Sequence, residues 1–479
     1  MKAKNKKWSE DELFEMRKEV LAQWPTGHDI ELNEAIEYHK QIPLKKRIPE
    51  LLRVSREQGW CHVGKQFGHA LVEDNVEHIK LLDEAGIDCV TIVLDTYSRH
   101  GQFQKAQAAL EESRKRGGTM LNGYPVVNQG VQNTRKFIEL VDIPMWSGCA
   151  HDEDPRLAAE VTLAGGFTGI QFHQLNDLIQ HSKNYPLDKR IINDQYGTRL
   201  AAYYTEHGAP IALFTPAPLG GLEPPEMRIA TLILACLLAA EQGVKEVNPR
   251  FNSTVHLTQT VAALKVLRIL LREYLDSFGY NDTTLDIGFS LWQGAWPLDL
   301  NEAAAFMAFE VSIAALGDVD NISVKGLDEA HGVSTREADV GAVKITNKVL
   351  ETVGRSRLAE SNELKTEEAM INIGAKAIID KVIELGDGDI AVGEMKAVEF
   401  GIIDAAFSPW QYLAKKVLPV RDASGAIRYL KSGNIPLPKD VLEYHKQKVL
   451  ERKKMEGAKT DMELVIEDVT RFSRPIIRK

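Results

Sequence analysis

Short apolar runs alternate with helix-period segments along most of the chain. Nine runs read as candidate strands: Trp60–Gly64, Cys89–Leu94, Thr119–Gly123, Ile143–Trp146, Thr168–Gln171, Ile211–Thr215, Val244–Val247, Leu285–Leu291 and Asn321–Val324. Most run into polar loops containing Gly or Pro, such as LDTYSRHG, LNGYPVVNQG, WSGCAHDED, FTPAPLGGLEPP, NPRFNST and KGLDEAHG. Strand, loop and helix repeated in this way predict a parallel sheet with crossover helices. The expected fold class is α/β, a (β/α)8 TIM-type barrel. Nine candidates exceed the eight strands of such a barrel, so at least one is peripheral or no strand at all, and periodicity does not say which. A long doubly wound sheet is the competing architecture, weakened by the lack of a G-x-G-x-x-G turn after the first strand. In a barrel the loops after the strands gather at one face and carry the chemistry.

The pattern differs at both ends. The opening residues read as helices, with Ser9 and Glu12 spaced as a capping box, and WPTG at 24–27 then breaks the chain. Beyond about residue 340, long helical segments run to Leu385 and a GDGD turn follows at Gly386–Asp389. A hairpin is predicted at Asp422–Gly425, and a charged helix at Lys439–Glu456. The expected organisation is a helical segment at 1–55, the barrel at 56–345, and a helical and α+β C-terminal extension at 346–479.

Composition narrows the class without naming a reaction. The chain of 479 residues is 44% hydrophobic and 26% charged, which excludes collagenous, disulfide-scaffold and broadly disordered classes. Its formal net charge of −10 gives no global footprint for nucleic acid or an anionic membrane. The most apolar stretch, ATLILACLLAA at 230–240, is too short to span a bilayer, and Pro224, Pro225 and Gly243 bracket a buried helix instead. The N-terminus has no apolar core of a signal peptide. Cys61, Cys89, Cys149 and Cys236 lie far apart without a C-x-x-C pair, so reduced thiols and a cytoplasmic location are expected.

Polar residues collect where barrel strands should end: Lys65, Gln66 and His69; Arg99 and His100; Asn122; Ser147, Cys149 and His151; Gln171 and His173; Asp177 and His181; Lys325 and Glu329. A barrel active site draws its groups from several strand ends in this way. Arg99, in Asp95-Thr-Tyr-Ser-Arg99, can clamp a carboxylate bidentately; a salt bridge to a neighbouring Asp is the plain alternative. His62 with His69, or His173 with His181, match no metal-ligand spacing, and no protein-bound metal is expected. Cys149 beside His151 lacks an orienting third partner and reads as a pocket-lining residue rather than a nucleophile. GGFTG and LGGL match no phosphate loop.

Longer strings carry a resemblance. WSEDELFEMRKEVLAQWPTG, LDTYSRHGQF, LNGYPVVNQGV, LAAEQGVKEV, VKGLDEAHGVSTREAD and VLPVRDASGAIRYLKSGNIP resemble the large epsilon subunit of methylaspartate mutase, also called glutamate mutase, along effectively the full length. The resemblance implies a (β/α)8 barrel that uses adenosylcobalamin together with a small cobalamin-binding subunit. That partner carries the cobalt ligand in a D-x-H-x-x-G motif, which has no match in this chain. It also implies self-association of large subunits flanked by small ones, in a heterotetramer. The implied activity is an isomerase reaction, a radical 1,2-rearrangement of a small acid.

Residue by residue, the cofactor side resembles the family. Lys325 and Glu329 fall on the lysine and glutamate that contact the adenosyl ribose, and Asn122 lies in the retained LNGYP loop. The substrate side departs from it. Of three carboxylate-binding arginines, the first falls on Gln66, the second is kept as Arg99, and the third falls on Cys149. Lys65, adjacent to Gln66, can restore a charge. The ammonium-binding glutamate falls on Gln171, two pocket tyrosines fall on Asp177 and His181, and a pocket glutamine falls on Ser147. A charge-assisted hydrogen bond contributes about 1.5–3 kcal/mol. Two missing arginines therefore weaken glutamate binding on the order of 10³-fold. The expected substrate is an amino or hydroxy acid with one carboxylate at Arg99, with Asp177 available for a substrate cation and His181 for a hydrogen bond. A paralogue that binds the small subunit without turnover is the alternative. A pyridoxal-phosphate aminomutase finds no lysine in a clear Schiff-base context.

Overall fold

The computed structural model describes residues 3–148, 153–172, 174–217, 222–457 and 459–474. Eight parallel strands close on themselves: β1 His62–Phe67, β2 Cys89–Val93, β3 Met145–Gly148, β4 Gly169–Gln171, β5 Ala212–Pro216, β6 Glu246–Asn252, β7 Gly288–Ser290 and β8 Asn321–Val324. Each pairs with the next, and β8 pairs with β1 through His62↔Asn321 to Lys65↔Val324. Helices follow the strands and pack outside them, so the fold is a (β/α)8 TIM-type barrel.

The supernumerary strand candidate is Thr119–Gly123. It forms no strand; its end makes one isolated bridge, Leu94↔Tyr124, beside the end of β2. A Cβ on Gly123 would lie 2.5 Å from the Leu94 carbonyl carbon, so only glycine lets this segment lie against the backbone there. Strand β6 runs longer than its apolar start predicts, through NPRFN. Those residues look loop-like only because the barrel interior here is polar. The Arg250 guanidinium lies 3.9 Å from the centroid of Phe214 and 5.4 Å from that of Trp146, and its Nε donates to Asn248 Oδ1 at 3.2 Å. Such cation–π contacts offset part of the desolvation of a buried charge.

The N-terminal helices close the other end. Ile48 and Leu52, on helix Ile48–Gln58, pack with Cys89, Trp146, Ala212 and Phe214 at the bottom of the barrel. The Ser9–Glu12 capping box forms as predicted: Ser9 Oγ accepts from Glu12 N, and Glu12 Oε2 accepts from Ser9 N at 2.9 Å. The stretch 230–240 lies in helix Pro225–Glu241, buried along nearly its whole length. Among the described residues, no helix is long and apolar enough to cross a membrane.

After the barrel, helices Asn362–Leu385 and Lys439–Glu456 flank the hairpin β9 Val417–Arg421 and β10 Ile427–Ser432, which turns at Asp422–Gly425. This extension reaches back to the barrel. Arg421 Nη1 donates to Thr254 O at 2.8 Å, just past β6. Trp410 Nε1 donates to Tyr185 O at 2.9 Å, and Ser408 Oγ to Ile179 O at 2.6 Å.

Gly123→Ala is expected to lower stability by about 1–3 kcal/mol through overpacking against the Leu94 backbone, read from the shift of the urea unfolding midpoint.

Candidate active site

A cavity of about 330 Å³ opens at the C-terminal ends of the strands. Residues from all eight strand ends or the loops just beyond them face it, including Gln66, Arg99, Gln171, His181, Lys325 and Glu329. These six, singled out from the sequence at scattered positions, are brought together by the barrel. The remaining expected site residues are not all beside them.

Arg99 ends the short helix Thr96–Arg99, whose N-cap Asp95 accepts from Tyr97 N and Ser98 N at 2.9 and 3.1 Å. Arg99 Nη2 donates to Thr96 Oγ1 at 3.0 Å, and Thr96 donates through N and Oγ1 to Asn122 Oδ1. Asn122 therefore acts on the cavity through Thr96 and Arg99. Burial pushes the Asp95 carboxyl above its usual range, against the hydrogen bonds that it accepts.

Lys65 does not restore the charge that Gln66 lacks. Its ammonium lies 3.2 Å from Asp339 Oδ1 and donates to Gln66 O at 2.7 Å. The same Asp339 oxygen accepts from Ser334 Oγ at 2.6 Å, and that hydroxyl also bonds Asp328 Oδ1. Lys65 thus ties down the loop after β8. On that loop, Lys325 Nζ sits 3.3 Å from Glu329 Oε1 and 5.5 Å from the Trp296 ring centroid. A neighbouring ammonium and carboxylate, both partly exposed to the cavity, suit a vicinal diol, which donates and accepts in one plane.

Several expectations are corrected or fall elsewhere. Asp177 is fully buried, with Arg190 Nη2 2.9 Å from its Oδ2; Arg190 Nε also binds Asp194 Oδ2 at 2.9 Å. It is therefore already committed to a guanidinium and does not receive a substrate cation. Its task is to anchor helix Gln174–His181 to helix Leu187–Glu206. Ser147 points away from the cavity: its Oγ lies 3.3 Å from Thr162 Oγ1 on the outer helix Arg156–Ala164, because alternation along β3 turns Trp146 inward instead. Cys149, His151 and His173 lie outside the described residues. The histidine pairs also separate. His62 is buried in the barrel, where desolvation lowers its pKa to about 3 and keeps it neutral near Arg250. His69 instead approaches His78, with their ring nitrogens 3.1 Å apart.

The cavity also holds residues that sequence reasoning passed over. Asn252 ends β6, and Gln293 follows β7 in WQGAWP, its Nε2 donating to Leu291 O at 2.6 Å. Gln180 lines the wall next to His181. Only their place just beyond a strand or on a strand-following helix marked them. Glutamine and asparagine carry no charge, so nothing in the composition drew attention to them.

A closed parallel barrel with a polar cavity at its C-terminal mouth defines a TIM-barrel enzyme. The methylaspartate mutase E chain (MutE) family profile matches residues 42–478. The chain is 36% identical over 479 residues to the glutamate mutase epsilon subunit of Treponema denticola, covering 100% of this chain and 99% of that one. It is 35% identical to the subunit of the same name from Desulfitobacterium hafniense, over 97% of this chain and 96% of that one. The subunit of that name from Escherichia coli O157:H7 is also 35% identical, over 99% and 98%. The chain belongs to the methylaspartate mutase E chain family, whose members are isomerases.

Arg190→Met is expected to strand two buried carboxylates and cost about 3–5 kcal/mol at pH 7. Stranding raises the pKa of Asp177 and Asp194 in the folded state, so the loss shrinks as pH falls and they protonate. Urea titrations at pH 5 and pH 7 check both the size and the sign.

Proposed function

We propose that this chain is the large catalytic subunit of an adenosylcobalamin-dependent carbon-skeleton mutase whose substrate has shifted away from glutamate. The observation that carries this reading is the asymmetry of the cavity wall. Its cofactor side presents Lys325 and Glu329 as a donor–acceptor pair at 3.3 Å, suited to the hydroxyls of an adenosyl ribose. Its substrate side presents Arg99, Gln66 and Gln171, where the family resemblance calls for further arginines and an ammonium-binding carboxylate.

When bound, adenosylcobalamin supplies a carbon radical by homolysis of its cobalt–carbon bond. The chain's own residues do the rest. Arg99 clamps the substrate carboxylate, with Asn122 and Thr96 holding the guanidinium. Lys325 and Glu329 orient the ribose, and the barrel wall keeps water from the reacting carbons. The small cobalamin-binding subunit docks at the mouth, where Leu298 and Val333 expose apolar surface on the rim, Val333 at 81%. A paralogue that binds the small subunit without turnover is the second reading, favoured by the same changed substrate side.

The complex reconstituted with its small subunit and adenosylcobalamin is expected to form no methylaspartate from glutamate at ordinary enzyme rates, followed by NMR. Methylaspartate at such rates would sink the shifted specificity. Arg99→Ala is expected to abolish substrate binding while assembly with the small subunit persists; equal loss of both would make Arg99 structural. Glu329→Ala is expected to weaken adenosylcobalamin binding, read by its visible spectrum, more than substrate affinity.

A further inference from the structure

Helix Val72–Glu84 and helix Arg336–Val353 pack together beside β1, and two buried polar atoms face each other where they meet. His78 Nε2 lies 3.4 Å from Asp339 Oδ2, and neither atom makes a hydrogen bond elsewhere. Both residues are 1% exposed, so bulk solvent does not reach them. The imidazole is fixed on its other sides. Phe67, at the end of β1, packs on it with ring centroids 4.1 Å apart, and His69 Nε2 lies 3.1 Å from His78 Nδ1. Arg336 Nη1, 2.6 Å from Glu77 Oε2, holds the two helices in register.

Charge decides how that ring meets the carboxylate. Burial first, and then His69, Lys65 and Arg336, lower the His78 pKa to about 3. The ring is therefore neutral at pH 7 and carries one N–H. A carboxylate only accepts, so the favoured tautomer has its proton on Nε2 and leaves Nδ1 to accept from His69.

Asp339 connects this pair to the cavity. Its other oxygen, Oδ1, has Lys65 Nζ at 3.2 Å and Ser334 Oγ at 2.6 Å. Ser334 Oγ is also 2.6 Å from Asp328 Oδ1, and Asp328 adjoins Glu329. The backbone closes on the same point: a Cβ on Gly326 would lie 1.7 Å from Ser334 Oγ and 2.7 Å from Asp339 Oδ1. Lys325 and Glu329 thus stand on a base that Asp339 anchors. Held at one oxygen only, a carboxylate can turn about its Cβ–Cγ bond, a torsion with broad minima. His78 at the second oxygen stops that turn.

We infer that His78 is a positioning residue for the cofactor side of the cavity, fixing the Asp339 carboxylate on which the loop bearing Lys325 and Glu329 rests. Its effect on cofactor affinity rests on the ribose role proposed above for Lys325 and Glu329; its effect on the loop does not.

Two measurements keep these apart. Hydrogen exchange of the full chain alone reads the amides of 325–335, and the visible spectrum of the complex with its small subunit reads adenosylcobalamin affinity. Glutamine can present an N–H near the place of imidazole Nε2, whereas asparagine, one methylene shorter, cannot reach it. His78→Asn is expected to speed exchange across 325–335 and to weaken adenosylcobalamin binding about tenfold, the size of one hydrogen bond to a charged group. His78→Gln is expected to hold exchange at the parent rate and affinity within about threefold. Ser334→Ala, at a partly exposed position, removes the next link and is expected to loosen the same segment even where His78→Asn fails to fold. Unchanged exchange in His78→Asn or in Ser334→Ala, or equal loss of protection in His78→Asn and His78→Gln, overturns the assignment. So does a loosened loop with affinity kept while Glu329→Ala still weakens binding. If Glu329→Ala leaves affinity unchanged too, the ribose role falls with it.

Discussion

The barrel depends on a charge placed where barrels usually hold aliphatic layers. Arg250 runs into the interior from β6 and lies against the faces of Phe214 and Trp146, and no carboxylate among the described residues pairs it. Burial lowers its pKa only to about 10, so it stays protonated at neutral pH. Stacking on two aromatic faces is what makes such a cation tolerable, and it sets constraints around it. Gly288 has to be glycine because a Cβ there would meet Arg250 Cγ at 2.5 Å. His62 is kept neutral first by its burial and then by the Arg250 cation beside it. With this plug below, and Ile48 and Leu52 packed at the bottom, the cavity that Arg99 and Lys325 line opens at the C-terminal mouth.

What lines that mouth is held by groups one step further out. Asn122 fixes Thr96, and Thr96 fixes Arg99. Asp339 holds Lys65 and the loop that bears Lys325 and Glu329. Arg228 donates to Asn252 O at 2.7 Å, and Arg421 of the C-terminal hairpin holds the adjoining Thr254 carbonyl. The C-terminal extension is therefore part of how the cavity keeps its shape, although none of its described residues lines the cavity. Positioning at this level matters because reacting groups must be held to fractions of an ångström.

Buried polar groups appear in two forms here. Where they are paired, as in Asp177–Arg190–Asp194, they lock one helix against another and are unavailable to a ligand. Where a polar group is buried and unpaired, as in the Gln180 amide, its desolvation is left uncompensated within the chain. The two lie three residues apart on one helix, and the residue type alone does not separate them. An aspartate looks the better binding residue on paper, and here it is the glutamine residue, not the aspartate, that lies along the cavity wall.

Much of the fold was legible in the order of residues. Eight of nine apolar runs lie in or overlap barrel strands, and the caps, the hairpin at Asp422–Gly425 and helix Lys439–Glu456 fall where local signals put them, because hydrogen bonding and burial within an element act over a few residues. The ninth run, Thr119–Gly123, failed because its neighbour at the end of β2, not its own pattern, decided its backbone. The grouping of Gln66, Arg99, Gln171, His181, Lys325 and Glu329 followed from strand ends converging. By itself, the sequence determined which elements form and which residue types stand at their ends. Only the tertiary structure decided which way those side chains face and which are already spoken for: Ser147 outward, Lys65 on Asp339, Asp177 on Arg190, Gln180 unmatched. The reason is physical: a partner from another element, brought near by packing, sets whether a polar group is satisfied.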